Sequence, residues 1–72
     1  MKFDRITFKP QQFGGRPCIR DMRICVSDVL DMLGDGARIG EILEDFPDLE
    51  EEDIRDCLKF AASRIDVPRI AA

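Results

Sequence analysis

The chain has 72 residues, 44% hydrophobic and 36% charged, with a formal net charge of −4 and no histidine. That length makes 1–72 a single domain, burying only about 60% of its unfolded surface, so self-association as a homodimer or higher oligomer would help it. No apolar run approaches the roughly 20 residues of a membrane span, and Lys2, Asp4 and Arg5 interrupt any secretory leader, so cytoplasmic residence is the expectation.

Charge and thiols narrow the function classes. Residues 1–25 carry six basic side chains against two acids, whereas 26–72 carry five against thirteen. Such a chain offers two different surfaces to partners, or a head-to-tail contact to itself. Cys18, Cys25 and Cys57 are odd in number and lack a Cys-x-x-Cys pair, which argues against a disulfide framework and against structural zinc. Without histidine there is no Ser-His or Cys-His nucleophile within the chain. No cofactor or metal is expected, and an enzyme is the least favoured class.

In chain order, residues 3–8 alternate, with Ile6 and Phe8 on one face and Arg5 and Thr7 on the other, which predicts a short half-buried strand. Lys9-Pro10 ends it, and Gly14-Gly15 marks a turn needing positive φ. Pro17–Arg20 and Arg23–Val26 flank Asp21-Met22 and read as a β-hairpin. A two-residue loop would set Arg20 opposite Arg23, Ile19 opposite Ile24 and Cys18 opposite Cys25. Asp-Met suits primed turns poorly, so a longer, irregular connection is the alternative. Arginines directly opposite each other repel, so Arg20 and Arg23 should splay outward unless an anion joins them. They are therefore either a candidate site or two solvated side chains at a hairpin tip.

Three helices follow from 26 to 66. The first has Ser27 as N-cap, a stripe of Val26, Val29, Leu30 and Leu33, and Gly34 as its left-handed stop. The second, 38–46, carries Ile39, Ile42, Leu43 and Phe46 at i, i+3, i+4 and i+7 and halts at Pro47. The third, about 50–65, repeats the period with Ile54, Cys57, Leu58, Ala61, Ala62 and Ile65, and Leu49 with Ile54 has the spacing of a hydrophobic staple. Residues 67–72 form an apolar tail broken by Pro68, read as docking on this chain or a partner.

Helices two and three, joined by Phe46-Pro47-Asp48-Leu49, form a helix-turn-helix-like pair. In such pairs the amino end of the second helix contacts bases. Here that end holds Glu50, Glu51, Glu52 and Asp53, which face the phosphate field unfavourably.

Ile6-Thr7, Gly14-Gly15-Arg16-Pro17-Cys18-Ile19-Arg20, Arg23-Ile24, Val26-Ser27-Asp28-Val29-Leu30, Glu41-Ile42-Leu43, Phe46-Pro47-Asp48-Leu49 and Glu52-Asp53-Ile54 resemble, in order, the bacterial domain-of-unknown-function family numbered 433. Asp21 departs from the glycine common there, and Arg38 and Gly40 from a capping Ser or Thr and a Glu. The resemblance implies a mainly α fold, a three-helix homeodomain-like (helix-turn-helix) bundle with a short amino-terminal strand and β-hairpin. It also implies a VapB-type antitoxin that binds and silences a PIN-like, metal-dependent ribonuclease, with operator DNA as a further partner through which it would repress its own operon. Such a nuclease holds its metal with clustered carboxylates, to which guanidinium forks are matched. Arg16, Arg20 and Arg23 are therefore the expected partner-binding residues. The competing expectation is a helix-turn-helix DNA-binding regulator.

Overall fold

The computed structural model describes residues 3–8 and 13–65. The protein is mainly helical, with three helices and a two-stranded antiparallel pair among the described residues. Its elements are β1 (Ile6–Phe8), a single 3-10 turn at Phe13–Gly15, β2 (Pro17–Ile19), α1 (Val26–Gly34), α2 (Ile39–Asp45) and α3 (Glu51–Arg64). The apolar tail expected at 67–72 lies outside the described residues.

Strand pairing differs from the expected hairpin. β2 pairs with β1, in the register Ile6↔Ile19, Thr7↔Cys18 and Phe8↔Pro17. Gly14 and Gly15, at φ 64 and 81, form the left-handed turn ahead of β2 that the glycine pair predicts. The limb at 23–26 contributes only one bridge, Cys18↔Cys25, beside the Ile19 N–H bond to the Ile24 carbonyl at 3.0 Å. It cannot run on as a strand because Cys25 is already the N-cap of α1. The Ile19/Ile24 and Cys18/Cys25 neighbours were legible, but the longer, irregular connection is the one formed. Within it Arg20 and Asp21 take φ 43 and 64, and the Met22 N–H reaches the Ile19 carbonyl at 2.7 Å. These left-handed residues occupy the centre of a tight turn.

Two helix ends also move from their expected positions. Ser27 lies inside α1 rather than capping it, and the Asp28 carboxylate accepts the Cys25 N–H at 2.9 Å. At the far end Gly34 is still helical. The left-handed residue is Gly36, at φ 100, where the Gly36 N–H bonds the Leu33 carbonyl and the Ala37 N–H bonds the Met32 carbonyl, both at 3.0 Å. This pair of reverse bonds is a Schellman closure. α2 begins without a side-chain acceptor at Arg38, as its sequence predicts, but Glu41 reaches back to the Arg38 N–H at 2.8 Å.

The core joins front and back of the chain. Ile6 and Ile19 from the strands pack with Val26 and Val29 of α1, Ile42 of α2, Leu49, and Ile54, Cys57 and Phe60 of α3. Leu49 and Ile54 are both buried, in the positions of the expected staple. On α3 the buried face is turned relative to the predicted stripe: Asp53, Ile54, Cys57 and Phe60 face inward, while Leu58 and Ile65 are exposed. Phe60 moves inward because Phe3 and Phe8 from the amino-terminal segment pack on it, with centroids 5.5 and 5.9 Å away. Helical period alone could not report that contact.

Candidate functional site

The ladder between β1 and β2 continues one step past the named strands, with the Arg20 N–H bonded to the Arg5 carbonyl at 2.9 Å. In this register Arg20 stands opposite Arg5, not Arg23. Like charges opposite one another on a sheet are unfavourable, and the anion that joins them here is Asp53. Arg5 Nη1 and Arg20 Nε donate to Asp53 Oδ1 at 2.9 and 3.0 Å, while Arg20 Nη2 and the Glu50 N–H donate to Oδ2 at 2.8 and 2.7 Å. Four donors fill the acceptor sites of one carboxylate, which is fully buried.

The surroundings of this clasp are also bonded. Arg20 Nη2 donates to the Asp48 carbonyl at 2.7 Å, and Arg5 Nη1 pairs with Glu50 at 2.7 Å. Burial alone would raise the Asp53 carboxyl. The bonds from Arg20, from the Glu50 N–H and from Arg5 outweigh it and hold the carboxyl down at about 2. Hydrogen bonding to the same carboxylates raises both guanidiniums further above their ordinary value, Arg5 through Glu50 and Asp53, Arg20 through Asp53.

The three arginines expected to bind a partner are thus divided. Arg20 is tied to the fold by Asp53, with its side chain still 37% exposed. Arg16 and Arg23 are exposed, with no ion pair among the described residues. The four acids at the start of α3 are not a uniformly bare negative tip either. Asp53 is internal, Glu50 pairs with Arg5, and Glu51 pairs with Arg55 at 3.0 Å. Asp53 had a signal in the sequence: it is the N3 residue of a helix, four before the apolar Cys57, so its side chain lies on the buried face and needs a cation there.

Arg16 also borders an open hollow. A groove of about 270 Å³ between α1, α3 and the start of β2 is lined by Val26, Leu30, Phe60 and Ala61, with Arg16 and Arg64 beside them. The Arg64 guanidinium lies over the Phe60 ring, 4.9 Å from its centroid. Beneath the strands, Cys18 and Cys25 are buried free thiols with their sulfurs 3.9 Å apart, and burial pushes the Cys18 thiol up. Cys57 is a buried core thiol pushed up to about 12, first by burial and then by Asp53 and Asp56. Among the described residues no cluster of three or more Cys, Asp or Glu side chains is placed to hold a metal, and no helix is long and apolar enough to cross a membrane.

No curated protein matches the chain. The fold is similar to the crystal structure of a DUF433 member protein from Anabaena variabilis ATCC 29413, with a TM-score of 0.79 and 27% identity over 86% of this chain. This chain spans 60% of that protein's length. The family model described as protein of unknown function (DUF433) matches residues 6–61, a range holding β1, β2, α1, α2, Arg20 and Asp53 of the clasp and all but the last turn of α3, and the chain belongs to that family.

Proposed function

We propose that the protein is an antitoxin-like interaction module that binds and silences a PIN-like ribonuclease in the cytoplasm, with no catalysis of its own. The observation that carries this reading is the pair of exposed guanidiniums, Arg16 and Arg23, left without carboxylates among the described residues while Arg5 and Arg20 are both tied to Asp53. Guanidinium forks match the clustered carboxylates with which such a nuclease holds metal. Arg20 serves the interface as a positioning residue, by fixing the turn between Arg16 and Arg23. On this reading α2 and α3 are a homeodomain-like helix-turn-helix pair used as scaffold, and the small core is supported by homodimer or higher assembly.

The test is nuclease silencing in a purified pair. Arg16→Ala with Arg23→Ala weakens inhibition while the circular dichroism spectrum is unchanged, whereas Arg20→Ala also lowers the melting temperature. Undiminished silencing by the double variant rejects the assignment.

A second reading, operator binding through α3, is favoured by the neutralisation of its acidic start by Arg5, Arg20 and Arg55. It calls for sequence-specific duplex binding that falls steeply with salt.

A further inference from the structure

The carboxyl-terminal half of α3 presents apolar surface that the chain's own core does not cover. Ile65 is 70% exposed and lines the groove between α1 and α3. The volume of about 270 Å³ is below the ~300–1,000 Å³ of pockets that enclose drug-sized ligands. A groove of this size suits a few side chains presented by another protein, as when an amphipathic helix lays its apolar face between two others.

Charge decides whose side chains. The groove is lined by Arg16 and Arg64 and, among the described residues, by no carboxylate. Arg64 is braced against the Phe60 and Phe8 rings, 4.9 and 5.9 Å from their centroids, so its charge is held at the groove rather than swept through solvent. A two-fold pairing of this face with itself would bring four guanidiniums and no carboxylate into one interface, which like-charge repulsion opposes. The acidic hollow elsewhere on the chain, bordered by Asp35, Glu41 and Asp45, is itself concave and offers no ridge to fill the groove. Among the described residues nothing supplies a ridge for the groove, and the occupant its charge fits is a chain that brings both apolar ridge and acids.

We propose that this groove docks an amphipathic segment of the partner protein, with aliphatic side chains at i and i+4 seated between α1 and α3 and flanking Asp or Glu side chains paired with Arg16 and Arg64. The inference rests on the reading that the partner is a protein, and adds the place and chemistry of docking.

The test uses the full chain and a panel of fluorescent helical peptides with Leu or Ile at i and i+4 flanked by Glu, each matched by a version with Lys for Glu. Acidic peptides bind and their Lys counterparts do not, and Arg16→Glu with Arg64→Glu weakens binding about tenfold or more. Arg64→Glu also removes ring contacts, so Arg16→Glu alone serves as the second variant and weakens binding with an unchanged melting temperature. Equal binding of both peptide types, binding by none of the panel, or self-association abolished by the charge reversals overturns the proposal. Nuclease silencing that survives Arg16→Glu with Arg64→Glu but is weakened by Arg23→Ala rejects the groove and leaves the antitoxin reading standing. Acidic-peptide binding without nuclease silencing does the reverse.

Discussion

The two ends of α3 use arginine in opposite ways. At the amino end, Arg5 and Arg20 close on Asp53 and Glu50, and the buried carboxylate has every acceptor site occupied. At the carboxyl end, Arg64 and the nearby Arg16 border an apolar groove without carboxylates. The first set ties the strand pair to the helices. The second makes no ion pair among the described residues. Basic residues near one another in sequence, such as Arg16 and Arg20, therefore belong to different tasks, and the difference is set by whether a carboxylate lies within reach.

The sharpest way to break this contrast is Asp53→Asn, which keeps the shape but removes the charge. Unfolding in urea should show a loss of about 2–3 kcal/mol, less than the ~3–5 of a fully enclosed pair, because Arg5 and Arg20 retain 29% and 37% side-chain exposure. Acid probes the same clasp without mutation. Asp53 lies below its unfolded value of 3.8, so its contribution is present above that value and disappears as pH falls through about 2. Chemical denaturation between pH 5 and 2 should record about 2 kcal/mol lost, a loss absent in Asp53→Asn. Gly36→Ala tests a joint remote from both ends: its φ of 100 disfavours any Cβ, and thermal melts should show a loss of about 1 kcal/mol. Arg16→Ala completes the series at the open end, with stability changed by less than about 0.5 kcal/mol. A large loss there would mean that Arg16 is structural after all.

Local signals carried much of the fold. Ile39, Ile42 and Leu43 announce α2 by period, Pro47 announces its end, and Leu49 with Ile54 announces the entry to α3. Pairing across the chain was less legible. Whether Pro17–Ile19 meets residues 23–26 or 6–8 depends on where α1 begins, and Cys25 lacks the oxygen that would have marked it as a cap. The candidate site divided in the same way. Facing arginines do repel and do need an anion, but the neighbour of Arg20 is Arg5 rather than Arg23, 15 positions away in the chain, and the anion is 33 away. Leu58 and Ile65 fit the helical period of the core and still face outward, since Phe3 and Phe8 draw Phe60 into the interior instead.

The clasp makes the front segment the counterion of the helical part. Trimmed to its three helices, the chain would lose both guanidiniums from Asp53 and keep only the Glu50 N–H bond, so the carboxyl would rise from about 2 toward its ordinary value. Such a fragment would lose the acid sensitivity that the guanidiniums give the intact protein. A circular dichroism titration of residues 26–65 against the whole chain would display the flatter curve in the fragment.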